Sequence, residues 1–362
     1  MKNIFLVDIE YIPTRYSSQW KEWIPNEINK SGLLNCVVID GPDNKDYKTT
    51  PGGFFNFFET NLYKMVQGQK IARLFMEDKV NDGDIFLFTD GWHPAVISLR
   101  QMINLSKKNV KMMGMFHAGA YDPADILGQT CRDNFLNVEL GYLDCLDTAI
   151  FATKFSKQLM LDNLIIDNEK KSELDKKMVV TGFPYNFDHL YQNKDKTNNI
   201  LFPHRISPEK HIELFRKQDK ISDQYNTIEE LLPDFEAIVT LEVTKDKDGF
   251  HKLLAESKYS ISFADQETWG ISVFESLMSG CLPIIPNKLS YMEMYSDELK
   301  YNPYDENGNE DIYNWPVKVK KVIDRLEKLT PEDKQKIIDK NIKYLKEYYC
   351  TFDYILDLLI IG

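Results

Sequence analysis

Short apolar runs alternate along this chain with longer segments whose apolar positions recur every three or four residues. In the first half, residues 3–7, 35–39, 84–88 and 111–116 read as short buried strands, and 19–29, 54–79 and 94–106 carry helical spacing. A polar stretch, 191–199, interrupts the pattern. It then resumes with strands predicted at 199–203, 237–243, 259–263 and 282–286 and helices at 208–217, 247–256 and 270–279. Helical periodicity over 317–349 and 352–359 closes the chain. Strand–helix alternation of this kind predicts an α/β protein with parallel sheets covered on both faces. Residues 182–186 and the polar stretch read as an interdomain connection, giving domains at 1–185 and 186–345 with a final helix in 346–362. No internal repeat is detected. Parallel sheets bind ligands at the carboxyl ends of their strands, so the loops 8–20, 89–94 and 117–125 are the first-half segments where chemistry is expected.

Composition changes this picture only a little. At 362 residues the chain is long enough for two domains, and its 43% apolar and 28% charged content is that of a globular protein. No apolar run reaches the 18 or so residues of a membrane helix, and the first residues lead directly into a strand with no cleavage signal. The five cysteines form no C-x-x-C pair, so neither a disulfide framework nor a zinc site is suggested, and a reducing cytoplasmic setting fits. The net charge of −12 argues against general nucleic-acid binding. The charge is uneven: 21 basic against 24 acidic residues in 1–185, 23 against 32 in the remainder. Residues 91–121 hold no acid at all, but do hold His93, Arg100, Lys107, Lys108, Lys111 and His117. A solvated basic face is the plain reading; a site for a phosphate-bearing substrate is the sharper one.

The densest chemistry lies between Glu267 and Asn287. Glu267 and Glu275 are eight positions apart, Gly270 follows Trp269, and Ser279-Gly280-Cys281-Leu282-Pro283 leads into Ile284-Ile285. A loop ending at Thr268, a helix from about Gly270 and a buried strand are predicted. That places Glu267 at the mouth of the helix and Glu275 inside it. The unpaired N–H groups of Gly270, Ile271 and Ser272 then form an anion site. An ordinary amphipathic helix with a glycine stop is the alternative. Upstream, Arg205 and Lys210 lie at a predicted strand end, with Pro208 suited to a first helical turn. Two cations there match a diphosphate.

These residues resemble the E-x7-E signature of the retaining, GT-B-fold nucleotide-sugar glycosyltransferases, the family 4-like group. The likeness covers Glu267, Gly270, Glu275 and Gly280, with one additional residue before Pro283. Arg205 and Lys210 keep the spacing of that family's G-R-x-x-x-x-K-G stretch, with His204 and His211 where glycines usually stand. The resemblance implies two Rossmann-like domains facing across a cleft and a final helix crossing back to the first domain. It further implies transfer of a sugar from a nucleoside-diphosphate donor, a UDP-sugar being expected, with retention and front-face attack. Donor contacts are then expected from Arg205, Lys210, Glu267, Thr268, Trp269, Gly270, Ile271, Ser272 and Glu275, the last on the ribose. Glu267, His117, Arg205 and Lys210 are the expected catalytic set. A satisfied structural histidine is the alternative reading of His117.

No resident cofactor or metal is expected. The D-x-D patterns Asp82–Asp84 and Asp246–Asp248 read as turns. The first loop departs from the family, carrying Arg15 and Tyr16 in place of a glycine turn. The run from Arg15 to Trp20 and that from Phe116 to Pro123 look similar to glycosyltransferases of tailed bacteriophages. That likeness implies a hydroxymethylated base in double-stranded DNA as acceptor, met by Arg15, Tyr16, Trp92, His93, Lys107 and Lys108. A cell-surface glycan or lipid-linked saccharide is the alternative acceptor, and a non-catalytic sugar-nucleotide-binding protein the alternative class.

Overall fold

The computed structural model describes residues 1–13, 15–42, 56–193, 195–217, 225–244 and 246–362. The first two residues of the helix predicted over 54–79, Thr14 in the first loop and Lys194 in the polar stretch lie outside the described residues. The chain divides into two compact units, Met1–Tyr185 with Cys350–Gly362, and Asn186–Tyr349.

The first unit is built on a parallel sheet of β1 (Lys2–Val7), β2 (Leu34–Ile39), β3 (Ile85–Phe88), β4 (Lys111–Phe116), β5 (Thr148–Phe151) and β6 (Met178–Val180). Their order is β2-β1-β3-β4-β5-β6. All four residues of β3 are buried, as expected of a strand covered on both faces. β5 and β6 are not among the strands predicted from the sequence. The helices Ser17–Lys30, Phe57–Met76 and Ala95–Ser106 fall where helical spacing predicts them. The last helix, Asp353–Ile361, belongs to this unit, and Lys2 Nζ donates to the carbonyls of Leu359 and Ile360 at its end.

The second unit repeats the winding. β7 (Thr197–Phe202), β8 (Glu236–Val239), β9 (Ser257–Ile261), β10 (Leu282–Pro286) and β11 (Lys300–Tyr301) form a parallel sheet in the order β11-β10-β9-β7-β8. Two predicted elements are corrected. The strand expected over 237–243 stops at Val239 and turns into a helical turn, Thr240–Val243. The helix expected over 208–217 is broken into Pro208–Lys210 and Ile212–Phe215, because His211 takes the left-handed conformation at φ 50°. The terminal periodicity resolves into Trp315–Glu327 and Pro331–Tyr348, with Thr330 capping the second helix through its hydroxyl and Pro331 in its first turn.

In both sheets the strand order reverses beside the first strand, between β1 and β3 and between β7 and β9. A crevice outside the carboxyl ends of the strands at such a point is where open α/β sheets take their ligands.

Candidate functional site

In the second unit, the loops leaving β7 and β9 meet at that crevice. Lys210 follows β7 and is almost wholly buried. Its ammonium donates to the carbonyl of Gln266 and lies 3.3 Å from Glu267 Oε2, in the loop after β9. A backbone bond from Asp265 N to Glu209 O, 2.9 Å, joins the same loops. Arg205 reaches Glu209 at 2.7 Å and Ser207 Oγ at 3.3 Å, so both cations anticipated for a diphosphate already hold carboxylates.

The helix Ile271–Met278 begins directly after Glu267–Gly270. Its first intrahelical bond runs from Phe274 N to Gly270 O, 3.0 Å, leaving the earlier amides without a helix partner. Gly270 sits at φ 86°, and a Cβ there would lie 2.7 Å from a ring carbon of Tyr291. Only glycine adopts that conformation without strain, and only glycine fits against the tyrosine. Ser272 Oγ lies 3.4 Å from Nδ1 of the buried His204. Ile271 and Thr268 are partly exposed beside it. Trp269 differs from its expected role: its buried indole packs on Phe274 with ring centroids 4.7 Å apart.

Glu275 is 1% exposed and already engaged, accepting from Lys247 Nζ and from His251 Nε2 at 3.1 Å. Burial would raise its carboxyl, but the Lys247 charge and the His251 hydrogen bond outweigh it and hold it down at about 2. Neither partner was singled out in the sequence, since they sit on another helix, Lys247–Glu256. His189, His251 and Glu275 bring three potential metal ligands within 4.8 Å of one another. The Lys247 ammonium on the same Glu275 oxygen opposes a second cation there. Three carboxylates of the D-x-D patterns accept from backbone amides. Asp82 accepts from Asn109 N, Asp84 from the amides of Asn3 and Asn81, and Asp246 caps a helix through Gly249 N.

The first unit's crevice is lined differently. After β1 come the buried Asp8 and Glu10; after β3 come Asp90, Trp92 and His93; after β4 comes His117. Asp8 accepts from Tyr63 at 2.7 Å and Gln67 at 2.9 Å, and burial pushes its carboxyl up to about 7. Glu139, fully buried beside Gly119 and Trp92, is pushed by burial to about 8. His117 Nε2 pairs with the Thr89 carbonyl at 2.8 Å, and burial lowers its basicity.

Several anticipated acceptor residues are otherwise occupied. His93 is buried against Gln67 Oε1 at 3.0 Å and pushed down to about 3 by burial, so it is a neutral structural histidine. Tyr16 is buried in a cluster with Trp20, Phe183 and His117 and offers no open ring face for stacking. Trp92, partly exposed, stacks on Phe135 at 5.6 Å. Arg15 is partly exposed in the first loop.

The acid-free stretch finds its acids elsewhere in the chain. Arg100 pairs with Asp147 at 2.7 Å, and Lys108 with Asp78. Lys107 is exposed at φ 57°, but it and Lys108 precede β4, at the amino edge of the sheet. Trp92 and His93 follow β3 at the carboxyl edge, roughly 13–20 Å away at 3.3 Å per strand residue. The six residues expected to share an acceptor surface therefore do not form one patch.

Comparison with solved structures decides the architecture. The chain aligns over 99% of its length with 97% of sucrose-phosphate synthase from Thermosynechococcus elongatus, at TM-score 0.64 and 12% identity. It aligns equally fully with 98% of the starch synthase IV catalytic domain of Arabidopsis thaliana, solved with ADP and acarbose, at TM-score 0.61 and 11% identity. The fold is GT-B. Among curated proteins, the chain is 25% identical over 252 residues to a tRNA-queuosine alpha-mannosyltransferase of Drosophila melanogaster. That alignment takes in 58% of this chain and 66% of the relative. No family model matches. Among the described residues, no helix of this GT-B chain is long and apolar enough to cross a membrane.

Proposed function

We propose that the protein is a retaining, metal-independent glycosyltransferase that moves a sugar from a nucleoside-diphosphate donor to a hydroxyl on a modified nucleobase. The observation that carries the donor half is the Lys210–Glu267 pair at the crevice of the second sheet, beside the start of the helix Ile271–Met278. Lys210, Arg205 and the helix N-terminus carry the charge of the departing diphosphate. Glu267 holds donor-sugar hydroxyls, its second oxygen remaining available beside Lys210. The leaving phosphate takes the acceptor proton in a front-face attack, so no covalent nucleophile is required. Glu275, under Lys247 and His251, fixes the helix that presents these amides and meets the ribose only if that pairing opens.

The acceptor half rests on the similarity to the tRNA-queuosine mannosyltransferase. A base carrying a hydroxyl and lying in a single-stranded loop reaches a crevice without being extruded from a duplex, which hydroxymethylated DNA requires. The chain's net charge of −12 and the paired state of Arg100 and Lys108 fit a small local contact better than a long duplex track.

The test is a thermal-shift screen of UDP-, ADP- and GDP-sugars, followed by transfer assays on tRNA bearing modified bases, hydroxymethylated DNA and lipopolysaccharide. The anomeric configuration of the product is then read by NMR. A mass increment of one sugar on tRNA, insensitive to EDTA, supports the reading. Transfer only to lipopolysaccharide, or an inverted product, rejects it.

A further inference from the structure

The break at His211 points to a device that ties the two donor loops together. Left-handed backbone is uncommon for any residue but glycine, and histidine, asparagine and aspartate are the usual exceptions. His211 holds φ 50°, ψ 53°, and its side chain is engaged on both nitrogens. Nε2 pairs with Asp265 Oδ2, and Nδ1 lies 2.8 Å from Glu213 Oε1. Asp265 stands two residues before Glu267, in the loop after β9; His211 directly follows Lys210, in the loop after β7. Both ring nitrogens face carboxylates, an arrangement that a doubly protonated imidazolium satisfies and a neutral ring satisfies only on one side.

We propose that His211 is a positioning residue: a protonated latch on Asp265 that fixes Lys210 against Glu267 and so sets the geometry of the donor site. The proposal rests on the donor reading above but concerns a residue that touches no donor. Among the described residues, the following groups surround the latch. Glu213 lies on the segment Ile212–Phe215. Asp265 also receives Lys288, whose ammonium reaches Glu310 at 3.1 Å and lies 4.5 Å from the Trp315 ring centroid. The Trp315 ring stands edge-on to His211 with centroids 5.8 Å apart. Tyr225 stacks on Tyr313 and senses the Glu213 charge.

Three carboxylates thus face one imidazole and one ammonium, with Asp265 shared between the two. Burial lowers the basicity of His211, but the bonds to Asp265 and Glu213 outweigh it and raise the imidazole to about 9. A raised histidine contributes its full stabilisation below its ordinary value of 6.5 and loses it as pH rises through 9. The latch is therefore closed at neutral pH and opens in mild alkali.

The test uses the full chain with UDP and ADP as probes. His211→Gly relieves the backbone conformation and removes the latch; His211→Asn tolerates the conformation and keeps one neutral hydrogen bond to Asp265. Calorimetry between pH 6.5 and 9.5 should give wild-type nucleotide affinity that falls near pH 9. It should also give a loss of about tenfold or more in His211→Gly at pH 7, and partial recovery in His211→Asn, with the alkaline fall absent from both. Amide-exchange protection of residues 264–270 should drop in His211→Gly with or without nucleotide. Unchanged protection together with wild-type affinity and pH profile in His211→Gly overturns the latch. Loss of protection in a chain whose wild type binds neither nucleotide upholds the latch and rejects the donor reading instead.

Discussion

The two units wind their sheets in the same order, yet the crevices beside their first strands are chemically opposite. In the second unit that crevice presents Lys210, Arg205 and the start of a helix, with glycine at the closest approach. In the first it presents Asp8, Glu10 and Asp90 among buried rings, with Lys64 2.6 Å from Asp90 as a compensating cation. One winding carries cations and a helix start in one unit and buried carboxylates in the other. Topology places both crevices alike, and the side chains that fill them differ. The contrast extends to protonation, since burial raises Asp8 and Glu139, whereas Glu275 is held low by the Lys247 charge and the His251 hydrogen bond.

The strongest test of this contrast removes the positive side. Lys210→Ala should lower donor turnover on the order of 100-fold, as loss of one group stabilising a developing anion does. It also leaves Glu267 without its ammonium. Turnover at the wild-type rate in this variant would place the diphosphate elsewhere.

Next in size is Gly270→Ala. The left-handed φ and the contact with Tyr291 should cost about 1–3 kcal/mol in denaturant unfolding and weaken nucleotide binding. A silent substitution would mean that the helix start is not held against Tyr291.

The opposed carboxyls predict opposed pH responses. Glu275, held at about 2, contributes stability that is present above its ordinary value and is lost as pH falls from about 4.5 towards 2. Asp8, raised to about 7, works the other way: the first unit loses stability as pH rises from about 4 to 7, because the unfolded chain ionises first. Glu275→Gln should abolish the acid-side loss in the second unit, and Asp8→Asn the loss on rising pH in the first. Unit-resolved hydrogen exchange distinguishes them; parallel responses in the two units would break the comparison.

The smallest effect is expected from Lys107→Glu. Lying at the amino edge of the first sheet, it should change nucleotide-sugar binding less than twofold and the salt slope of tRNA binding by no more than about one phosphate. A larger change would restore the amino edge as a nucleic-acid surface.

Much of this molecule is legible in its sequence where the signal is local. The strand at 282–286 matches the observed β10 residue for residue, because Gly280 stops the helix before it and its own run of residues is wholly buried. The helix after Gly270 and the break near it follow from glycines whose φ values are positive. The break at His211 was not legible, since histidine is an ordinary helix residue until Asp265, 54 positions away, takes its ring. The acid-free run misled for the same reason: Asp78 and Asp147 neutralise Lys108 and Arg100 from outside it.

The sequence by itself determined the alternation of strands and helices, the α/β class, and the local pattern of glutamates, glycines and cations on which the donor proposal rests. These depend on neighbours within a few residues, where periodicity and backbone preference act. Only the tertiary structure decided which charges are spent on each other. It gave Glu275 to Lys247 and His251, Asp265 to His211 and Lys288, and Arg205 to Glu209. A Coulomb interaction depends on distance in space and on burial, and neither is written in the spacing of residues along the chain.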